Sequence, residues 1–408
     1  KIHDKGTYMK RLLNHSAMPA VGFVEPWSVK AGNDTEVFVS ANDPRAQVRI
    51  LSLDRDDPEV MDWPISHARK FFEVREYQLG SWVELPSVAL VQSQEWQLSV
   101  EFLLTRNDTA RCFLAIGDLC SVEVDELGRL SGQLNDQKFD IGTLRNETWA
   151  VLNVHVGSSR VRFEVVSRGD TLGFTSGIVD MNDLVGRPVS IGSAGTHDAN
   201  SVNCRIGRIG VKAGDLDLDW RFPVSGPVTH VGAVNEPSAK LTVHNMPTFA
   251  VASARFTGEI HDPRLDPSHF DAIHLHDDDF AGFDWDPDLK ISVPHNARSG
   301  IYGVEIETAS GTERLPFFVR PSRPSAKLAF LVPTNTYLAY ADERLPPVRY
   351  PWHGSDRGHR FSIDNHFLCL YDVHSDLSGV SLTSARRPRA TLRDDYHYPL
   401  SNCPHLLP

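Results

Sequence analysis

The sequence predicts a multidomain chain of β-sandwiches followed by the start of an α/β domain. Three observations carry this. Four stretches between residues 77 and 222 alternate apolar and polar side chains, the period-two pattern of half-buried strands. Strand–turn–strand patterns stand on both sides of that region, at residues 22–53 and 254–319. Finally, Leu328-Ala329-Phe330-Leu331-Val332 is a short apolar run halted by Pro333-Thr334, which reads as a buried parallel strand.

In chain order, residues 1–60 form an arm and the first immunoglobulin-like strands. Gly22–Val29 and Glu36–Ser40 flank the turn Ala31-Gly32-Asn33-Asp34, and Val48–Leu53 adds another strand. Residues 61–230 form a second sandwich. Its strands Trp96–Leu103, Ser121–Val124, Val151–Val156 and Val161–Val166 alternate strictly, separated by turn residues such as Gly117-Asp118. The Trp96 strand, the glycine turn at Gly128 and Ile191-Gly192-Ser193 resemble a concanavalin-like jelly roll, which Leu218–Phe222 closes. Residues 77–222 are therefore expected to fold autonomously. Residues 231–322 return to immunoglobulin-like strands that share a sheet with the residues before 60. They include Ala272–His276, Leu289–Val293, Gly300–Glu307 and Leu315–Val319. Pro321-Ser322-Arg323-Pro324 is a stiff linker, and residues 323–408 begin the α/β domain, with a second, weaker strand at Phe367–Leu370.

Composition bounds the function. A hydrophobic content of 41% and a charged content of 23% are ordinary for a soluble globular chain. The net charge of −12 argues against a nucleic-acid partner, because phosphate binding needs a basic surface. No apolar run is long enough to span a bilayer as a helix. Five cysteines (Cys112, Cys120, Cys204, Cys369, Cys403) at no ligand spacing read as free thiols in a reducing cytoplasm. The first residue is Lys, so an earlier segment is expected.

In an open α/β sheet, ligands sit beyond the carboxyl ends of the strands. That position holds tyrosines and acids here, Asn335 through Glu343, which favours metal or acid–base chemistry over phosphate cradling. His274-Leu275-His276-Asp277-Asp278-Asp279 is metal-like on inspection, since two histidines two apart on a strand face one side. The plainer reading is a strand end whose histidines bond the following acids. Cys369 lacks a nucleophile elbow and reads as a buried thiol.

Thr336-Tyr337-Leu338-Ala339-Tyr340-Ala341, the segment Leu370-Tyr371-Asp372-x-His374-x-Asp376, and Arg386-Arg387-Pro388, in that order, resemble the large-subunit (beta) family of N,N-dimethylformamidase. Trp27–Asn42 and His274–Asp279 fit the same family. The resemblance implies an iron-dependent amidohydrolase that cleaves N,N-dimethylformamide to dimethylamine and formate. It implies that Tyr340 and Tyr371 bind a single ferric ion, and it makes Tyr371 and His374 the catalytic candidates. Hard phenolate oxygens suit a trivalent ion that can draw the proton from a phenol of ordinary pKa near 10. The family's third ligand is a glutamate in a Ser-His-Pro-Glu-like stretch. No such stretch occurs before Pro408, so that ligand is expected beyond it and residues 1–408 alone are expected to lack catalysis. Glu343, Asp342, Asp372 and His374 are hydrogen-bonding candidates around the site, and the stretch from Tyr396 to Pro408 reads as a connector. The implied partners are a small amide substrate, a small subunit and further copies of the large subunit. The alternative is a carbohydrate- or subunit-binding β-sandwich protein without catalysis. The His274–Asp279 run stands away from the iron ligands in this family, in a structural role.

Overall fold

The computed structural model describes residues 10–54, 57–86, 95–135, 137–157, 159–178, 186–194, 201–324, 326–345, 356–393 and 395–396. The chain divides into two compact units. The first holds Gln78–Ala281 and Val373–Leu382; the second holds Arg11–Tyr77, Gly282–Asp372 and the described residues from Thr383 on.

The first unit is a sandwich of two eight-stranded sheets whose named pairings are all antiparallel. In Trp96–Leu104 and Trp149–Gly157 nearly every second side chain is buried, so each strand presents one apolar face to the facing sheet. The core between the sheets includes Val100, Phe102, Phe113, Leu152, Phe163 and Ile209. Phe102 and Phe113 meet with ring centroids 4.4 Å apart. The two-residue turn between Cys204–Ala213 and Leu216–Arg221 starts at Gly214, whose φ of 58° only glycine adopts without cost.

Four strands beyond residue 222 complete these sheets. Lys240–His244 pairs with Trp82–Glu84, and His230–Gly232 follows it. Ala272–Leu275 pairs with Cys204–Ala213, with Leu275 opposite Cys204, and Thr248–Val251 lies outside it. The Ala272–His276 stretch, grouped with the second sandwich on sequence pattern, is thus part of the larger one.

The second unit is the immunoglobulin-like sandwich. Asp34–Ala41 sits between Ala20–Glu25 and Leu289–Ser292, and Gly300–Thr308 sits between Gln47–Ser52 and Gly311–Arg320. Strands from both sides of the larger sandwich share each sheet, as the patterning predicts. Val37, Val39, Ile50, Ile291, Val304, Ile306 and Phe317 fill the core. Arg75 and Asp288 form a buried pair at 2.6 Å, and Asp288 also accepts the Val39 N–H at 2.8 Å.

The apolar run Leu328–Val332 departs from expectation. It is not a strand, and Leu328, Phe330 and Leu331 are 89%, 76% and 91% exposed. A strand forms only where another offers a matching edge, and no strand among the described residues pairs with it. The run instead leads into the short helix Thr334–Ala339. Phe367–Leu370 is likewise no strand; Phe367, Leu368 and Cys369 are buried behind the helix Arg357–Asp364. Asp356 caps that helix by accepting the N–H groups of Gly358 and His359.

Glu313, on strand Gly311–Arg320, is buried against Arg357. Burial pushes its carboxyl up to about 7, against the pull of Arg357 and Arg393. The folded value lies above the unfolded one. The protonated group therefore favours the fold fully below pH 4.5, and this contribution is lost as pH rises through about 7. Urea unfolding at pH 5 and pH 8 should differ by about 2.5 kcal/mol more in the native chain than in Glu313→Gln. An equal difference in both would remove Glu313 as the source.

Candidate functional site

The tyrosines singled out by the sequence lie in the second unit. Tyr340 is the C-cap of the helix Thr334–Ala339 and Tyr371 follows the buried Phe367–Cys369 segment. Although 31 residues apart in sequence (371 − 340), their rings stack with centroids 4.2 Å apart and planes inclined by 15°. Tyr340 is 37% exposed and Tyr371 65%, so both reach solvent.

Backbone and buried charge hold the pair. The Leu370 N–H donates to the Ala339 carbonyl at 3.1 Å, joining the two segments directly. Arg387 spans them from beneath: Nη1 donates to the Leu368 carbonyl at 2.5 Å and Nη2 to the Leu338 carbonyl at 3.0 Å. Its Nε lies 3.2 Å from the Asp342 carboxylate, both side chains being almost fully buried. Burial pushes Asp342 up, with Arg387 opposing. Thr391 fastens the far side, its hydroxyl donating to the Tyr340 and Ala341 carbonyls. The two arginines of Arg386-Arg387-Pro388 part ways: Arg386 reaches Glu25 at 3.3 Å on a partly exposed side, while Arg387 is an internal brace. The sequence signal for it was an arginine and an aspartate, 45 residues apart (387 − 342), with no pattern linking them.

The neighbouring acids are engaged. Asp372 Oδ2 accepts the Cys369 N–H at 2.9 Å and lies 3.7 Å from Arg344. Glu343, pushed up by burial, meets the Tyr396 hydroxyl at 3.1 Å, and that hydroxyl also meets His359 Nε2 at 3.1 Å. The donor set fits a hard trivalent ion in two respects: both oxygens are phenolic, and both lie on one stacked, solvent-reached pair. Cys369 is buried and its thiol is pushed up to about 12, first by burial and then by Asp372, so it is no nucleophile at rest. Cys112, Cys120 and Cys204 are free and buried too, and Cys403 lies outside the described residues.

His374 belongs to the first unit, in a second cluster at the end of strand Ala272–Leu275. His374 Nδ1 lies 2.6 Å from Asp278 Oδ1, and its ring stacks on His276 at 3.7 Å. His276 points Nδ1 at Asp279, 3.2 Å away, and Nε2 at the Ser378 hydroxyl, 3.0 Å away. His274 Nε2 lies 2.9 Å from Asp376 Oδ2. All three imidazoles are buried. Burial pushes His274 down to about 4, against the pull of Asp376. Burial is the largest influence on His276 and lowers it, but Asp279, Asp376 and Asp278 together outweigh it and the value rises. Burial opposes the charge of Asp376 as well, yet contact with His274 holds its carboxyl low. Asp277 faces elsewhere, paired with Arg111 at 2.8 Å and bonded by Ser375. Gly80 closes the cluster at φ 87°: its N–H donates to the Asp279 carbonyl, and a Cβ there would lie 2.3 Å from Ser201 Oγ. Sequence reading found His274 and His276 but not their partners Asp376 and Ser378. The available signal was the second spaced pair, His374-x-Asp376, repeating the His-x-His spacing a hundred residues on.

Comparison with known proteins adds a family. Residues 251–404 match the family described as N,N-dimethylformamidase beta subunit-like, C-terminal. The N,N-dimethylformamidase beta subunit of Paracoccus aminophilus is 30% identical over 203 residues, 45% of this chain and 24% of that protein. That of an Alcaligenes species is 31% identical over 145 residues, 31% of this chain and 18% of that protein. The matched part thus spans about a quarter or less of these relatives. Among solved structures, a heptameric SAP-like pentraxin from Limulus polyphemus aligns with 40% of this chain and 75% of its own, at 12% identity and a TM-score of 0.24. No helix among the described residues is long and apolar enough to cross a membrane.

Proposed function

We propose, from the match of residues 251–404 to the N,N-dimethylformamidase beta-subunit family and the likeness to two such subunits, that the chain works within an amide-hydrolysing enzyme that converts N,N-dimethylformamide to dimethylamine and formate. The stacking of Tyr340 on Tyr371 carries this reading, because it gathers two phenols at a solvent-reached point and braces them from below. Tyr340 and Tyr371 would hold a single ferric ion, which supplies Lewis acidity toward an amide carbonyl and toward water when bound.

The chain's own residues supply the rest. Arg387 and Thr391 fix the segments bearing the phenols, so little side-chain freedom is lost when both oxygens converge. The Glu343–Tyr396–His359 chain offers a route for a proton near the same helix, since each member lies within 3.1 Å of the next. The name of the relatives, a beta subunit, supports a partner subunit, and assembly with a small subunit and with further copies belongs to this reading.

The test is iron itself. The assembled enzyme, loaded with ferric iron, is expected to show a visible phenolate-to-iron absorption band. Tyr340→Phe and Tyr371→Phe should each lose the band together with the bound iron. A double phenylalanine variant that retained full iron would sink the assignment. Formate release from N,N-dimethylformamide by the assembled enzyme tests the reaction separately.

A further inference from the structure

We propose that His274, His276 and Asp376 form a binding site for one zinc-class divalent cation, separate in residues and in chemistry from the tyrosine pair. The three offer ligand atoms that all lie within 4.8 Å of one another. Two imidazole nitrogens and a carboxylate oxygen are the donors zinc takes, at about 2.0–2.2 Å each, which places neighbouring donors roughly 3.3 Å apart. His274 Nε2 and Asp376 Oδ2, 2.9 Å apart, are already close to that separation.

Two further observations point to a cation. Asp376 Oδ2 is buried and accepts no hydrogen bond: His274 Nε2 is near enough but not aligned as a donor to it. A buried, unbonded carboxylate oxygen facing an imidazole nitrogen is costly unless a positive charge stands before both. The wider charge count agrees. Asp278, Asp279 and Asp376 crowd three imidazoles, and among the described residues no arginine or lysine lies within 4.0 Å of these carboxylates. Arg111 serves Asp277 alone in this group.

The outer contacts are those of an oriented ligand set. Asp279 sits on His276 Nδ1, and Ser81 and the His276 N–H hold Asp279 in turn, which leaves Nε2 as the ligand atom, its 3.0 Å contact with the Ser378 hydroxyl to be exchanged for the cation. Ser378 donates to Asp376 Oδ1 at 2.6 Å and so turns the carboxylate's other oxygen toward His274. The cation would fasten the segment Val373–Leu382 to the end of strand Ala272–Leu275 within the first unit.

The test uses the full chain, stripped with a chelator and titrated with Zn2+ by calorimetry and with Co2+ by visible absorption. One ion per chain and a cobalt band of tetrahedral intensity are expected. His274→Gln and Asp376→Asn should each weaken zinc at least 100-fold, while Tyr340→Phe/Tyr371→Phe should leave it unchanged. X-ray absorption on the zinc-loaded native chain needs no variant and should show imidazole scattering. Absence of stoichiometric zinc in the folded native chain, an all-oxygen shell, or unchanged binding in His274→Gln would each overturn the site. Loss of zinc with the tyrosine pair would instead merge the two centres and overturn their separateness.

Discussion

A chain cut to residues 77–222 is expected not to fold. Strand alternation alone suggests the opposite, because twelve of the sixteen strands of the first unit fall inside this window. The four outside it decide the matter. Their loss strips Trp82–Glu84 and Cys204–Ala213 of a neighbour each. It also removes Val231, Leu241, Val243, Phe249, Ile273 and Leu275 from the core. At about 1.5–3 kcal/mol for each large apolar side chain buried, about 9–18 kcal/mol disappears. A domain's whole margin is about 5–15 kcal/mol. The segment 78–281, which retains all sixteen strands, should melt cooperatively in circular dichroism, whereas 77–222 should show no transition and should bind a hydrophobic dye. Cooperative melting of 77–222 would mean that the lost strands are peripheral.

These two segments differ in what sequence makes legible. Period-two alternation is a local property, so Trp96–Leu104 and Trp149–Gly157 announce themselves. The partner of a strand is not local. Nothing in Ala272–Leu275 says that it pairs with Cys204–Ala213 rather than with the strands that follow it. Hydrophobicity alone misleads for the same reason: Leu328–Val332 is apolar enough for a buried strand but meets no edge among the described residues, and four of its five residues are exposed. The candidate sites divide likewise. Tyr340 and Tyr371 sit in recognisable stretches, and their meeting is what the structure adds. His274 and His276 are visible as a spaced pair, but Asp376 reaches them from 102 residues away (376 − 274). Charged residues that act in the interior look on paper like charged residues on a surface, so Arg387 carried no sign of its role.

Arg387→Met is expected to cost about 3–5 kcal/mol, the range for breaking a buried ion pair by removing one partner. The native guanidinium meets three groups at once: the Asp342 carboxylate and the carbonyls of Leu338 and Leu368. Methionine fills much of the volume but meets none of them, leaving a carboxylate with no exposure and two carbonyls that lose their donor. Asp342→Leu alone should cost less, because Arg387 retains both carbonyls. The double variant Asp342→Leu/Arg387→Met should recover part of the loss, since no charge is then left buried without a partner; a double-mutant cycle in urea unfolding isolates that coupling. It should not recover the tyrosines. Without the guanidinium, the segments of Leu338 and Leu368 keep the Leu370–Ala339 hydrogen bond but the rings lose the brace that sets their separation. The near-ultraviolet circular dichroism of the tyrosines should therefore weaken in both Arg387 variants and persist in Asp342→Leu. A signal that tracks stability across all three variants, rather than the presence of Arg387, would show that the brace holds the fold and not the pair.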